Sequence, residues 1–367
     1  MKNKKAIIIS ISAAIVIVAS LFVWNFATKV SQNIGEQNNQ SSVLPVELTA
    51  EEKIYKELTG NLSEAISAFE KEKLQELIKK LVEIENNGNN IDKKSTVYKE
   101  IVAILDEVTL RSTAPEDLAK YKKYYSAINE AQTSAFVPTC QYLIKENGTI
   151  SPEGSEINST EACLHEEAWA KAKRIIPFEL LRGIKYFVPF EPNKGNDGYI
   201  AGFMQPIDFS KTPLEWGLGV ATNARQKGLP YILIHEYGHY LSLKDTNREL
   251  DGSYKDIQAE NCELLQKFIA ECLGHIAEEF DNVDKEKLYL FYARHKNDFV
   301  TKYAASNLLE DFAESFARFV AGSEAESETL KRKMKFFNDN QDLSAIKTKI
   351  LKNIEDNNVG EITPVTE

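Results

Sequence analysis

The sequence predicts an α+β protein, on the basis of three observations. Apolar residues recur at helical spacing from residue 54 to residue 128, before any strand-like segment. From residue 135, short apolar runs with Gly, Pro and β-branched residues indicate a small sheet. Helical spacing returns from residue 221 to about residue 354. Because the strands are grouped rather than alternating with helices, the order favours α+β over α/β.

Composition excludes several classes of protein. With 367 residues, of which 43% are hydrophobic and 27% charged, the chain is long enough to bury one large core or two smaller ones. The 17 glycines and 11 prolines follow no fixed period, which excludes collagen-like and solenoid folds. A net charge of −11 would repel phosphate backbones, so we expect no nucleic-acid partner.

The N-terminus contains a candidate membrane anchor. Residues 6–27 carry no charge and, at about 1.5 Å per helical residue, would span roughly the hydrocarbon core of a bilayer. Lys2, Lys4 and Lys5 precede this segment, so the positive-inside rule leaves residues 1–5 in the cytoplasm. We predict a single-pass anchor at residues 6–28 in the cell membrane, with the remainder extracytoplasmic. The alternative is a cleaved signal peptide and a secreted protein.

A polar linker and a helical region follow the anchor. Residues 29–49 are rich in Gln, Asn and Ser and predict a flexible stalk. Residues 50–135 contain apolar stripes at 54–84 and 98–108 and a third helix with Pro115 in its first turn. We predict that these helices pack as a small bundle. The bundle is either a contact module for a partner or the cell wall, or a scaffold for the following domain.

The second domain is predicted at residues 136–355, followed by a disordered tail at 356–367. Its expected strands are 184–190, 199–204 and 214–222, with a turn at 196–198 joining the first two. The third strand leads into a helix from near Ala221 to Leu241.

Four cysteines are too few for a disulfide scaffold. Outside the membrane, Cys140 and Cys163 could form one disulfide. Cys262 and Cys272 lie about 15 Å apart on one predicted helix and therefore cannot bond to each other.

The motif that carries chemistry is His235-Glu236-Tyr237-Gly238-His239, which has the His-Glu-x-x-His pattern. Residues four apart share one face of a helix, so both histidines can bind one metal ion while Glu236 lies beside its open position. Two imidazole ligands suit Zn²⁺. The apolar residues 231–234 can bury this helix. The alternative is that both histidines lie on the surface, but it leaves these apolar residues unexplained.

A catalytic zinc ion usually has three protein ligands, and two carboxylates compete for the third position. Asp245 lies six residues after His239, where metzincin-like enzymes have their third ligand, but their pattern has a glycine where this chain has Ser242. Glu310 lies in an amphipathic helical segment, residues 307–320, with Glu314 one turn later on the same face. We predict that Glu310 binds the zinc and that Glu314 accepts a hydrogen bond from a ligating histidine. The alternative is that both glutamates are solvated.

The motif and residues 303–316, Tyr-Ala-Ala-Ser-Asn-Leu-Leu-Glu-Asp-Phe-Ala-Glu-Ser-Phe, resemble the gluzincin metallopeptidases of the anthrax lethal factor catalytic-domain family, which includes clostridial Pro-Pro endopeptidases. The resemblance covers about residues 180–350, including a tail helix at 334–350. It implies a zincin-like metalloprotease domain, with a small twisted sheet, an active-site helix and C-terminal helices. The long gap before Glu310 implies an inserted helix within residues 256–280.

The resemblance also assigns roles to residues. It implies His235, His239 and Glu310 as zinc ligands, Glu236 as the general base and Tyr303 as a donor to the developing oxyanion. In the implied reaction, zinc acidifies its bound water, and Glu236 takes the proton and returns it to the leaving nitrogen. The alternative for Tyr303 is a packed ring with its hydroxyl in water.

Peptide substrates are usually held extended along a sheet edge. We predict Trp216, Gly217 and Leu218 as that edge, because the glycines of this strand would let a substrate backbone come close. The alternative is that this strand is central and buried.

The remaining histidines, with nearby acidic residues, are interpreted as structural or surface residues rather than as a second metal site: His165, His275 and His295, with Glu260 and Glu263.

The sequence thus predicts a membrane-anchored, extracytoplasmic zinc endopeptidase that acts on a peptide or protein substrate. The alternative is a tethered binding or stalk protein whose zincin-like domain is catalytically inactive. Because Glu236 and all candidate ligands are present, the sequence favours the enzyme.

Overall fold

The computed structural model describes residues 48–87, 91–131, 137–138, 140–153, 158–191, 201–208, 213–224, 228–244, 262–274 and 276–364. The predicted cytoplasmic N-terminus, the membrane anchor and nearly all of the stalk lie outside these ranges. Within them, the structure contains no helix with the length and apolar character needed to span a bilayer.

Most of the chain described is helical, and side-chain caps start several of the helices. Thr49 with Glu52, and Ser67 with Glu70, form capping boxes at the first two helices. The helices are α1 (Ala50–Thr59), α2 (Ala68–Asn86), α3 (Ile91–Ser112), α4 (Pro115–Ala131), α5 (Ser159–Ile175), α6 (Phe178–Leu181), α7 (Leu229–Leu243), α8 (Glu263–Cys272), α9 (Ile276–Asn282), α10 (Leu288–His295), α11 (Leu308–Ala321), α12 (Glu328–Asp339) and α13 (Gln341–Asp356).

The described residues also form one mixed sheet. Its strands are β1 (Val137–Pro138), β2 (Tyr142–Ile144), β3 (Ile150–Pro152), β4 (Ile184–Glu191), β5 (Gly202–Asp208) and β6 (Glu215–Ala221). The order is β3-β2-β4-β6-β5, with β1 also paired to β4. β4 and β6 are parallel, whereas β5 pairs antiparallel with β6 at one end of the sheet. The α+β prediction is therefore confirmed.

The strand order corrects the predicted connection between the first two expected strands. A turn at 196–198 implies that these strands are neighbours, but β6 lies between β4 and β5. Turn signals report only local pairing, whereas the parallel β4–β6 pair joins segments that are distant in sequence. The second strand also lies at 202–208 rather than 199–204. The predicted turn itself lies outside the described residues.

Two helix predictions also change. The metal-motif helix, α7, begins at Leu229 and not near Ala221. The predicted tail helix at 334–350 corresponds to α12 and α13, which are separated at Asn340. The Asn340 side chain accepts hydrogen bonds from the first amides of α13, so it starts a new helix there. The helix predicted within 256–280 is present as α8 and the first part of α9.

The predicted bundle is divided between two cores. α1, α2 and α3 share a hydrophobic core of their own. The third predicted helix, α4, packs on α10 instead, where Leu118 clusters with Leu290 and Tyr121 meets Tyr292 edge-on at 4.9 Å. The prediction that α4 packs with the preceding helices is therefore wrong. The tyrosine-rich face of α4 packs against the aromatic face of α10 instead.

Buried ion pairs join α3 to the C-terminal half of the molecule. The Arg294 side chain on α10 is completely buried, and its Nη1 lies 2.8 Å from Asp106 Oδ1 on α3. Its Nη2 contacts Glu279 of α9. Lys94 of α3 pairs with Glu278 at 3.0 Å. These contacts favour the scaffold interpretation of the helical region.

Two further expectations fail in the structure. The tail predicted as disordered is described to residue 364, and Val359 and Ile362 pack against the main core. Cys140 is buried and Cys163 is exposed, and both are free, so the predicted disulfide between them is not formed. Cys262 and Cys272 are free and buried at opposite ends of α8, as predicted.

Candidate metal centre

Helix α7 carries the two histidines of the motif. Gly228 precedes the helix in the left-handed conformation, with φ of 88°, and Pro230 lies in its first turn. The apolar residues that follow are buried, which fixes the helix in the core. His235 and His239 are consequently buried one turn apart, with 5% and 8% of their surfaces exposed.

Helix α11 brings two carboxylates to these histidines. The Asn307 side chain caps the helix by accepting hydrogen bonds from the amides of Leu309 and Glu310. Glu310 and Glu314 are both buried, so the alternative that they are solvated is excluded. Buried carboxylates need a partner that compensates their charge, and here the nearest groups are the imidazoles.

Three side-chain atoms converge at the centre of the site. His235 Nε2 and His239 Nε2 are 3.1 Å apart. Glu310 Oε2 lies 3.1 Å from the first nitrogen and 3.3 Å from the second. This group of two histidines and one glutamate is buried and could hold a metal ion.

The geometry of these three atoms fits a bound cation better than hydrogen bonding. Glu310 Oε2 is buried, and although two imidazole nitrogens are close, neither is aligned with it as a hydrogen-bond donor. Ligands about 2.0–2.1 Å from a tetrahedral Zn²⁺ ion are separated from one another by about 3.3 Å. The separations of 3.1, 3.1 and 3.3 Å are close to that value. The residues present therefore fit a divalent ion with tetrahedral coordination.

The Glu314 carboxylate lies behind the His235 ring. Its Oε1 lies 2.8 Å from His235 Nδ1, the ring nitrogen that faces away from the centre. Its Oε2 accepts hydrogen bonds from Thr301 Oγ1 at 2.7 Å and from the Tyr231 hydroxyl at 3.2 Å. Because the carboxylate is fixed by two donors, it can fix the orientation of the imidazole in turn.

Charges in the site shift the pKa values of its members in opposite directions. Burial lowers the pKa of His235, but the carboxylates of Glu310 and Glu314 outweigh burial and raise it well above its usual value. Burial raises the pKa of Glu310, but the imidazoles of His239 and His235 outweigh it and hold this pKa far below its usual value. The same contact between His235 and Glu310 thus favours the charged form of each group.

The Glu236 carboxyl is a further titratable group next to this cluster. Burial raises its pKa, an effect that the nearby His235 and His239 reduce. Its Oε2 accepts a hydrogen bond from the backbone amide of Met204 in β5 at 3.0 Å. Glu236 is thus held between the histidines and the last strand of the sheet.

Tyr303 also lies next to this cluster. Its ring centroid is 5.8 Å from that of His235. Burial, the charges of Glu310 and Glu236 and a hydrogen bond to Glu310 raise the pKa of its hydroxyl well above the usual value. The hydroxyl is therefore protonated at neutral pH and can act as a donor. The hydrogen bond to Glu310 favours this position over a packed ring with its hydroxyl in water.

The structure corrects the predicted substrate edge at Trp216, Gly217 and Leu218. These residues belong to β6, which pairs with β4 on one side and β5 on the other. A Cβ on Gly217 would overlap Ile207, and one on Gly219 would overlap Phe203. The glycines of β6 therefore make room for side chains of β5, and the buried central strand is the correct interpretation.

The remaining residues considered as metal ligands lie away from this site or outside the described residues. Asp245, His275 and Glu260 lie outside the described residues. His165 is buried with its Nδ1 2.8 Å from the Tyr142 hydroxyl. His295 is buried between Glu279 and Asp298, each 3.3 Å away. Glu263 is exposed and pairs with Lys267 on the same helix. Across the part of the chain that is described, His235, His239 and Glu310 form the only group of this kind that could hold a metal ion.

The sequence analysis does not predict three residues that hydrogen-bond to Glu314 or Glu236, namely Tyr231, Thr301 and Met204. Tyr231 lies one turn before His235 on α7, a spacing that could have indicated its role. Thr301 and Met204 act from a loop and from a backbone amide, and no sequence pattern marks them.

Comparison of the chain with protein-family models, curated proteins and solved structures found no match.

Proposed function

We propose that this protein is a zinc metallopeptidase of the gluzincin type, with a zincin-like domain that hydrolyses peptide bonds. The observation that carries the proposal is the convergence of His235 Nε2, His239 Nε2 and Glu310 Oε2 beside Glu236. Two imidazoles and one carboxylate are the protein ligands of many catalytic zinc sites, which keep a fourth position for water or substrate.

Zinc bound by His235, His239 and Glu310 would supply Lewis acidity, polarising the peptide carbonyl and making the attacking water more acidic. Glu236 then accepts the proton of that water and delivers it to the leaving nitrogen. The raised pKa of its carboxyl suits a group that must both take and give a proton. Tyr303 donates its hydroxyl hydrogen to the oxygen on which negative charge develops.

The substrate strand would add to β5 rather than to β6. The Met204 amide donates to Glu236 and therefore points away from β6. Alternate residues of a strand direct their backbone groups to the same side, so Gly202 and Pro206 also face outward. Pro206 lacks an N–H and is tolerated there because an outward position contributes nothing to the β5–β6 ladder. An extended peptide pairing with this edge lies next to Glu236.

The cellular location is proposed on the sequence alone. Residues 6–28 would anchor the protein in the cell membrane, with the catalytic part outside the cytoplasm. A protease-protection experiment on intact cells tests this orientation, and cleavage only after lysis would contradict it.

The decisive experiment uses the full chain purified in detergent. We expect about one zinc per chain, and peptide hydrolysis, followed by mass spectrometry on a peptide library, that a chelator abolishes. Glu236→Gln should keep the zinc and lose at least about 100-fold in rate. The exposed Glu263→Gln, the control, should retain both. A metal-free wild-type chain, or a zinc-bound one inactive on every peptide, would favour the tethered binding protein.

A further inference from the structure

A buried lysine outside the metal centre connects two parts of it. Lys333 of α12 and Asp311 of α11 are both completely buried. Lys333 Nζ donates to Asp311 Oδ1 at 2.7 Å and to Oδ2 at 2.8 Å. It also donates to the backbone carbonyl of Asp298 at 2.6 Å. All three ammonium hydrogens therefore have an acceptor.

The two acceptors belong to the segments that supply the site. Asp311 directly follows the ligand Glu310 on α11. Asp298 begins the loop 298–306, which contains Thr301 and Tyr303. Thr301 donates to Glu314 Oε2, and Tyr303 reaches Glu310. Lys333 thus ties the start of this loop to the helix that carries both glutamates.

Stability does not by itself explain a lysine at this position. A buried ion pair is often no more stable than a well-packed apolar pair of similar volume, because both charges must be desolvated. The ring of Phe299, 4.7 Å from Lys333 Nζ, further shields the ammonium group from water. What a lysine supplies and an apolar residue cannot is a set of directed hydrogen bonds to two separate segments.

We propose that Lys333 is a positioning residue of the metal centre, which sets the loop 298–306 against α11 so that Thr301 and Tyr303 meet Glu314 and Glu310. This inference rests on the proposed function. Its first part, the effect of Lys333 on metal affinity, can be tested without peptide hydrolysis. Without the three hydrogen bonds, the loop shifts relative to α11, and the orientation of both glutamates is no longer fixed.

Zinc affinity, measured by competition with a chromophoric chelator on the full chain, provides the first test. Lys333→Met should weaken zinc binding by about tenfold or more, the range for residues that orient metal ligands. Lys331→Met is the matched control, because Lys331 lies on the same helix but is exposed. It should bind zinc as the wild type does.

Lys333→Met leaves the buried Asp311 carboxylate without a counter-ion, with only a hydrogen bond from Ser315 Oγ at 3.3 Å, and could unfold the chain. The double variant Asp311→Leu/Lys333→Met removes both charges and should remain folded, as judged by circular dichroism. We expect it to show the same loss of zinc affinity, because the connection to Asp298 is still missing. A folded double variant with wild-type affinity would overturn the proposal.

Turnover gives a second, separate readout on any peptide that the wild type cleaves. Lys333→Met at saturating zinc should lower kcat with little change in KM, since Tyr303 acts on the transition state. In a Tyr303→Phe background the same substitution should have no further effect on kcat. Additive effects would overturn the positioning of Tyr303 by Lys333. Failure of the wild type to cleave would contradict the proposed function, and the zinc measurement would still decide the role of Lys333.

Discussion

Gly238 and Ala313 touch where helices α7 and α11 cross. A Cβ added to Gly238 would lie 2.9 Å from the Ala313 Cα and 3.3 Å from its Cβ. Gly238 precedes the ligand His239, and Ala313 lies between Glu310 and Glu314. The close approach of the two backbones at this point allows a glutamate from one helix to reach imidazoles on the other.

Gly238→Ala should therefore separate the helices and weaken zinc binding. Overpacking of this kind costs about 1–3 kcal/mol, and we expect zinc affinity to fall by about tenfold or more. Ala313→Gly should not rescue it, because the nearest atom is the Ala313 Cα. Ile232→Val on the same helix serves as the control. Unchanged affinity in Gly238→Ala would show that the helix spacing does not set the metal site.

The identity of the third ligand is tested by two alanine substitutions. Glu310→Ala should greatly reduce zinc affinity, because it removes the carboxylate that faces both imidazoles. Asp245→Ala should leave the affinity unchanged. Equilibrium dialysis followed by metal analysis measures both. The opposite result would identify Asp245 as the third zinc ligand.

The backbone amide of Met204 can be removed by proline. Met204→Pro eliminates the hydrogen bond to Glu236 Oε2 but no bond of the β5–β6 ladder. We expect zinc to be retained and the hydrolysis rate to fall by about tenfold, because the general base is less firmly held. Met204→Leu keeps the amide and is the matched control. Equal rates in the two variants would argue against a role for this contact.

Glu279 should make stability depend on pH in acid. Burial opposes its ionisation, but Arg294 and His295 outweigh burial and lower its pKa to about 2, from 4.5 in the unfolded chain. Its contribution to the free energy of unfolding is therefore complete above about pH 4.5 and is lost as the pH falls through 2. The difference corresponds to about 3 kcal/mol.

Denaturant unfolding of wild type and Glu279→Gln between pH 7 and pH 3 measures this contribution. The variant should be less stable at pH 7 and lose less stability on acidification. Glu263→Gln, an exposed residue, should follow the wild type. Parallel curves for wild type and Glu279→Gln would show that Glu279 does not titrate with folding.

The sequence predicts those parts of the site that lie on regular helices. His235 and His239 share a face because of helical spacing alone, and Glu310 and Glu314 do so for the same reason. The position of β5 at the end of the sheet depends on long-range pairing that no local pattern encodes. For this reason the sequence predicts the cluster of His235, His239 and Glu310 that the structure shows, whereas the strand predicted to bind substrate is wrong, because β6 is central.

Contacts missed by the sequence analysis are those made through loops and tertiary packing. Lys333 appears in the sequence as one of several lysines on an amphipathic helix, and only the fold reveals that it is buried. The pairing of α4 with α10 likewise depends on two aromatic faces meeting across distant segments.

The Arg294–Asp106 pair bears on how the protein can be divided for experiments. A recombinant fragment beginning at residue 136 would retain the guanidinium but lack Asp106 and Thr109, which accept two of its hydrogen bonds. It would also expose the aromatic surface of α10 that α4 covers. Such a fragment should aggregate even though it contains every proposed catalytic group. We therefore expect the boundary at residue 135 to separate two patterns of sequence but not two independently folding units.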